Sequence, residues 1–397
     1  MMIPERPTLE RRVLAALDGS AGGSPRIPVL LGGCGSGRTS LLLRLRDLIG
    51  RSQAQYVDVE RIATTPERFL QALRESSPFA SSAGSAPQAG AREAFDASLA
   101  FLDAARAPAA APATFLIDEF LELRTFESFP GLRTVLRDLI GALAAGGNRF
   151  VLTSRYAGRA MRLLRDAPSQ FEIIPVAPLT AAEVRATLPG AHDDDHVRGL
   201  SDRDGTEDEV ERRRDELARV VHALADGRPS YVRAIAETAT ETAPRGDADP
   251  ISALAALLAP GGQLAQTCRF CYELRLHRAR GYGALKAILE VLAQQEPLTL
   301  TEIAQRLHRT PGSTKDYLSW LEDVDLIASH QKRYRFADPM LRLWVRLHCR
   351  AVPPTEEDLA RELHEYVQAR LPHTEPALAL ATTDAEREKY SGIIEID

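Results

Sequence analysis

Long apolar runs, lysine and cysteine are all scarce in this 397-residue chain, and each scarcity narrows what the protein can be. No uninterrupted apolar run approaches the roughly eighteen residues that a membrane-crossing helix needs. The N-terminus Met1-Met2-Ile3-Pro4-Glu5-Arg6 lacks the basic-then-apolar order of a signal peptide, so a cytoplasmic protein without a membrane partner is expected. Four cysteines are too few for a disulfide framework and suit a reducing compartment. Lysine occurs only at 286, 315, 332 and 389 among 49 basic residues, a drift towards arginine that bears on one position below. A net charge of −6 offers no general argument for nucleic acid, although basic clusters gather in the C-terminal third. With 44% hydrophobic and 26% charged residues, the chain has the composition of an ordinary globular protein of two or three domains.

What is present is organised around one stretch. Pro28-Val29-Leu30-Leu31 is an apolar strand that runs into the turn Gly32-Gly33-Cys34-Gly35-Ser36-Gly37 and then into an apolar helix beginning Arg38-Thr39-Ser40. The spacing Gly32-x-x-x-x-Gly37-x-Thr39 is that of a phosphate-binding loop, with Arg38 in the position of the usual lysine. Glycines let successive backbone N–H groups point inwards, and the helix N-terminus adds partial positive charge to the same cavity. The expected occupant is ATP or ADP with Mg²⁺, held by residues 32 to 40. Thr39 would place its hydroxyl on the metal, and Arg38 would meet the β- and γ-phosphates as a planar fork.

Downstream, Ala113-Thr114-Phe115-Leu116-Ile117 reads as a buried strand ending in Asp118-Glu119. A parallel strand delivers its C-terminal residues to the crevice where phosphates sit, so Asp118 is expected at the metal and Glu119 at the attacking water. Arg149 to Leu152 is the next strand, finishing in Thr153-Ser154-Arg155. There Thr153 or Ser154 would position water and Arg155 would sense phosphate charge. The remaining strands are read at residues 54–59 and 171–179, and helices at 8–17, 66–73, 94–105 and 133–145. Flexible inserts are expected near 76–92 and 104–113, where Ser, Ala, Gly and Pro accumulate.

The chain divides into a nucleotide domain (1–179), a helical lid (180–242), a helical connector (251–281), a C-terminal unit (282–350) and a last helix with a loose tail (351–397). Thr180-Ala181-Ala182-Glu183 spells a capping box that opens the lid. An acidic insert, 190–216, is expected to interrupt it. His192, Asp193, Asp194, Asp195 and His196 within that insert read as a solvated loop rather than a metal site. Cys268 and Cys271 form a single C-x-x-C without a second pair, which reads as two small residues on one helix face.

From Tyr282 the order is helix, short extended piece, two helices and a basic ribbon, which is the order of a winged helix-turn-helix. Its third helix would direct Ser313, Thr314, Lys315 and Tyr317 to the base edges of double-stranded DNA, while Lys332, Arg333 and Arg335 neutralise phosphates. A module of this kind also serves as a protein-binding or packing unit, and Asp316, Glu322 and Asp323 lie on the same helix.

Taken in order, the loop at 32–39, Ile117-Asp118-Glu119-Phe120, Thr153-Ser154-Arg155, Gly227-x-Pro229 and the phrase Tyr334-Arg335-Phe336-Ala337-Asp338-Pro339-Met340-Leu341-Arg342-Leu343-Trp344 resemble the STAND class of AAA+-related ATPases. The likeness is to the archaeal-type ATPases and, more distantly, to origin-recognition initiators. It implies an α/β fold, a parallel P-loop sheet with a helical lid, an all-α connector and a winged helix. It also implies that Arg155 reads the γ-phosphate and that Pro229 packs the lid against adenine. The implied function is an ATP-driven switch controlling a DNA-binding unit; the alternative is a weakly catalytic, nucleotide-bound scaffold for a protein partner. Catalysis would fall to Glu119, Arg38 and Arg155. Arg38 departs from the family lysine, which bears on turnover, and no arginine-finger motif stands out, so activation in trans by a neighbouring subunit does not follow from the sequence. A protein partner or self-association through the ATPase domain is a second expectation about partners.

Overall fold

The computed structural model describes residues 6–19, 24–79, 90–188, 207–242, 248–277 and 281–371. Its first part contains α1 (Pro7–Asp18), β1 (Ile27–Leu31), α2 (Arg38–Ile49), β2 (Ala54–Asp58), the single-turn α3 (Val59–Ile62), α4 (Pro66–Glu75) and α5 (Ala91–Ala104). It continues with β3 (Thr114–Asp118), α6 (Val135–Ala145), β4 (Arg149–Ser154), α7 (Ala157–Leu164) and β5 (Phe171–Pro175). The five strands form one parallel sheet in the order β2-β3-β4-β1-β5.

Alternation along each strand divides the core into two layers. Val29, Leu31, Phe115, Ile117, Phe150 and Leu152 face α4, α5 and α6. Leu30, Leu116, Val151 and Ile174 face α1 and α2 on the other side. With both faces covered, the central strands are apolar throughout, as a buried parallel sheet requires. The register sets Leu31 beside Ser154 and Asp58 beside Asp118. Since β4 lies between β3 and β1, the strand end at residues 153–155 falls between the glycine loop and the paired carboxylates.

One local expectation is corrected here. The Ala/Pro-rich stretch 104–113 is tied down by buried Asn148. Its Nδ2 donates to the carbonyls of Leu102 (2.7 Å), Ala105 (3.0 Å) and Asp103 (3.1 Å), and its Oδ1 accepts from Ala113 N (2.9 Å). The start of the 76–92 insert is likewise anchored, because Phe79 is buried edge-on against Phe115. Residues 80–89 lie outside the described residues.

The lid comprises α8 (Ala181–Thr187), α9 (Glu207–Ala225) and α10 (Pro229–Thr242). Both hydrogen bonds of the capping box between Thr180 and Glu183 are present. The acidic segment behaves differently from the expected loop: residues 207–216 are the first turns of α9, where Arg185 pairs with Glu211 and, at 2.5 Å, with Asp215. Residues 189–206, with the His192–His196 cluster, lie outside the described residues. At the α9–α10 turn Gly227 has φ +64°, and a Cβ there would lie 2.5 Å from the Leu179 carbonyl oxygen. Only glycine lets the turn pass so close to the chain entering the lid.

Beyond the lid come α11 (Pro250–Leu258) and α12 (Gln263–His277). They are followed by α13 (Tyr282–Gln294), β6 (Leu298–Thr299), α14 (Leu300–Arg306), α15 (Pro311–Asp323), β7 (Ile327–His330), β8 (Arg333–Phe336), α16 (Pro339–His348) and α17 (Glu356–Gln368). β6, β8 and β7 make a small antiparallel sheet. α17 returns to the lid, its Tyr366 hydroxyl donating to the Leu224 carbonyl at 2.8 Å. The larger apolar core runs continuously from the sheet through the lid to α17.

Asn148→Ala should lower stability by about 2–4 kcal/mol, because it strands a buried N–H and buried carbonyls together. Chemical denaturation with an unchanged slope would register the loss.

Candidate functional site

The loop after β1 narrows onto the start of α2. Gly37 caps that helix with φ +84°, so the amides of Arg38, Thr39 and Ser40 occupy its first turn, where a helix has no internal acceptors for them. Gly35 carries a double requirement. Its φ is +74°, and a Cβ would lie 2.1 Å from Ser230 Oγ of the lid. The lid turn therefore rests directly on the loop: Ser230 N donates to the Gly35 carbonyl at 3.2 Å, and Pro229 is buried beside Gly37.

The carboxylates at the end of β3 take different partners. Asp118 Oδ2 accepts from the Thr39 hydroxyl at 2.6 Å and from the Tyr56 hydroxyl at 2.9 Å, while Thr153 donates to Oδ1. Burial and the neighbouring Asp118 push the Tyr56 phenol well above its ordinary value, so it remains a donor. Glu119 has left-handed backbone geometry (φ 55°, ψ 47°), unusual for a side chain of its size, and its N–H donates to Thr153 Oγ1 at 3.0 Å. Ser154 Oγ accepts from Tyr156 N at 3.0 Å. Thr153 is thus committed to Asp118 and Glu119 rather than to a substrate water, and Ser154 is fully buried beside it.

Glu119 is only 5% exposed and sits between two arginines that are nearly as buried. Arg38 Nη2 donates to Oε1 at 2.5 Å; Oε2 accepts the Arg155 backbone N–H at 3.0 Å and lies 3.2 Å from Arg155 Nε. Arg155 also reaches Glu60 at the rim. Burial pushes the Glu119 carboxyl up, but the two guanidiniums outweigh it and hold the group below its ordinary value. Burial lowers Arg155 in turn, and Glu119 with Glu60 more than restores it. The other face of Arg38 turns back on its own loop, bonding the carbonyls of Gly32 and Gly33 and the Ser36 hydroxyl. The guanidinium expected at phosphates therefore links the loop to Glu119.

Cys34 is the point at which the other units reach the loop. Its carbonyl accepts from Arg228 Nη1 at 3.3 Å, and its sulfur lies 3.0 Å from Arg275 Nη2 of α12. Arg228 continues to the Ala337 carbonyl (2.8 Å) and to Asp338 (3.4 Å), which also accepts the Tyr231 hydroxyl at 2.8 Å. Arg275 continues to the Asp325 carbonyl at 2.9 Å, and Asp325 Oδ2 accepts Ala157 N of α7 at 2.6 Å. Sequence reasoning missed Tyr56, Glu60, Arg228 and Arg275. Tyr56 and Glu60 become visible once β2 is known to adjoin β3; nothing local marks the two arginines.

In the C-terminal unit Lys315 is exposed, and Ser313 is half-buried with its hydroxyl donating to the Thr310 carbonyl at 3.1 Å. Tyr317 lies under Arg309. Thr314 is fully buried and its hydroxyl donates to the Thr310 carbonyl at 3.0 Å, so it presents nothing outward, contrary to the base-reading role expected of it. Lys332 and Arg335 are exposed, while Arg333 donates to the Pro297 carbonyl at 3.3 Å and stands 3.8 Å from Glu302. The far end of α15 docks on the nucleotide domain through Asp323 and Arg162.

No family profile and no curated protein matches the chain. Among solved structures, the Walker-type ATPase PABY2304 of Pyrococcus abyssi superposes with a TM-score of 0.58 at 16% identity, over 87% of this chain and 96% of that one. The fold is the P-loop NTPase fold. Weaker likenesses are to a STAND protein with a tetratricopeptide repeat sensor from Pyrococcus horikoshii (TM-score 0.35, 15% identity, 98% of this chain and 48% of that one) and to Drosophila ORC bound to DNA (TM-score 0.42, 14%, 82% and 90%). Among the described residues no helix is long and apolar enough to cross a membrane, and no group of three or more acidic, histidine or cysteine ligands converges.

Burial raises the Asp325 carboxyl to about 6 despite the amides of Ala157 and Gly158 and the charge of Arg275. A folded value above the unfolded one means that the ionised group costs stability: the contribution is favourable below about 4 and is lost as pH rises through 6. Asp325→Asn, which keeps an acceptor for Ala157 and tolerates the left-handed φ of 52°, should stabilise the protein at pH 7.5. The gain should be at most about 3 kcal/mol and shrink towards pH 4, as thermal melts across that range would show.

Proposed function

We propose that the chain is a slow ATPase that works as a nucleotide-dependent switch. The observation that carries this reading is the cluster of Arg38, Glu119 and Arg155 beside the Thr39–Asp118 pair, gathered at the C-terminal edge of a P-loop ATPase sheet. The amides from Gly33 to Ser40 would hold the phosphates. Thr39 and Asp118 bring two hard oxygen donors together and would hold Mg²⁺, which supplies charge neutralisation for the transferred phosphoryl group. Glu119 then orients the attacking water, a task it can take up only when its arginines find other partners. Phosphate oxygens match an arginine fork as well as a carboxylate does, so bound nucleotide draws Arg38 and Arg155 off Glu119.

The lid turn at Arg228–Ser230 and Arg275 of α12 both touch the loop, so a change there is felt in the C-terminal unit. We read residues 282–350 as a winged helix whose outer face, with Lys315, Lys332, Arg333 and Arg335, engages double-stranded DNA under nucleotide control. The second reading, a nucleotide-holding scaffold for a protein partner, is favoured by the hold of Arg38 on Glu119 and by the exposed Asp316 beside Lys315.

Glu119→Gln should lower the rate of ATP hydrolysis at least about 100-fold while leaving nucleotide affinity within a few-fold. Arg38→Lys, which cannot span the loop carbonyls and Glu119 together, should raise turnover; a fall would mean that the fork itself is needed on phosphate. Charge reversal of Lys332, Arg333 and Arg335 should abolish salt-sensitive DNA binding. Absence of any DNA affinity in the unaltered protein would leave the scaffold as the better account.

A further inference from the structure

The phosphate-binding loop carries a thiol with an unusual neighbourhood. Cys34 Sγ is 3.0 Å from the guanidinium of Arg275, a residue itself only 4% exposed, and Cys271 stands one helical turn before Arg275 on α12, beside the same thiol. Cys34 and Cys271 are both partly open to solvent, whereas Cys268, the other member of the C-x-x-C, is buried against Tyr231. From this geometry we infer that Cys34 is a peroxide-reactive site resolved by Cys271, and that the resulting disulfide locks the phosphate loop to α12.

The chemistry follows from the placement. Cys271 beside it pulls the Cys34 thiol down, burial opposes it, and Arg275 adds to the fall, so the group lies well below its ordinary value. Its neighbour Cys34 pushes the Cys271 thiol up in turn. Burial also raises Cys268 and Cys349, which leaves one nucleophile among the four thiols. The Cys34 thiolate attacks one oxygen of hydrogen peroxide; the O–O bond breaks, and the leaving hydroxide takes a solvent proton to depart as water. Cys34 is now a sulfenic acid, oxidised by two electrons. Cys271 sulfur then attacks that sulfur, the S–O bond breaks, and the hydroxide leaves with the Cys271 proton as a second water.

The consequence for the loop, unlike the chemistry, rests on the nucleotide-binding reading above. Cys34 lies between two glycines whose freedom shapes the phosphate cavity, and the bond would fix it to the helix that also grips Asp325. An oxidised loop could neither admit nor release nucleotide.

The full-length reduced protein, treated with hydrogen peroxide, should yield a Cys34–Cys271 cross-linked peptide lighter by two hydrogens, reversible by a thiol reductant. Cys271→Ser should stop at a Cys34 sulfenic acid trapped by dimedone, and Cys34→Ser should give neither product. Arg275→Gln should slow the first step at least about tenfold. If any variant misfolds, quenching the unaltered protein at early times must still show sulfenic acid at Cys34 before the cross-link. Oxidation that begins at Cys271 or Cys349, or a dimedone adduct on Cys34 that never advances to the cross-link, overturns the inference. Fluorescent ATP analogue binding separates the two claims: reduced protein and peroxide-treated Cys271→Ser should bind, and cross-linked protein should not. Reduced protein that does not bind refutes the nucleotide reading while the cross-link stands; binding by cross-linked protein refutes the lock.

Discussion

A single buried carboxylate shared by two arginines governs the architecture of the site. Glu119 would be costly to bury alone, and either arginine would be costly to bury without it. Removing one partner from such a pair leaves an uncompensated charge, with a typical penalty of about 3–5 kcal/mol. The cluster can therefore exchange partners far more readily than it can lose one. That property suits the proposed polyphosphate site, where an incoming anion would take the place of Glu119 for the arginines. The left-handed backbone at Glu119 belongs to the same constraint, because it turns the chain so that the carboxylate meets the end of β4.

The second organising feature is the convergence of distant elements on Cys34. The lid reaches it through Arg228 and α12 through Arg275, and each arginine has its other hand on the C-terminal unit, at Ala337 or Asp325. A ligand shifts a conformational equilibrium only by its differential affinity for the two states. Any movement of the loop would have to break these hydrogen bonds. The docking of α15 on α7 adds a surface contact through Arg162 and Asp323, weaker because it is exposed on one side.

Much of the fold was legible in the chain because it is written in short windows. Five strands with alternating layers, the capping box at Thr180 and the glycine loop each depend on residues within one turn or one pleat of each other. The errors arose where composition misled. An acidic, arginine-rich segment read as loop is the beginning of α9, because its charges pair along and between helices at Arg185, Glu211 and Asp215. An Ala/Pro-rich stretch read as flexible is held by one asparagine more than thirty residues downstream. Helix α7 is only eight residues long, and the tight-turned stretch Phe120–Ser128 has little apolar periodicity, so neither stood out.

The amino-acid sequence by itself determined that a phosphate loop, a strand-end Asp–Glu pair and a strand-end arginine would exist, since each is a local pattern set by strand and turn chemistry. Only the tertiary structure decided whom they meet. Arg38 and Glu119 are 81 residues apart and Cys34 and Arg275 are 241 apart, and both contacts depend on strand order and on how the lid folds over the loop. Local propensity acts within a few residues, whereas an ion pair or a thiol contact is selected by burial, after the sheet and the helices have closed around it.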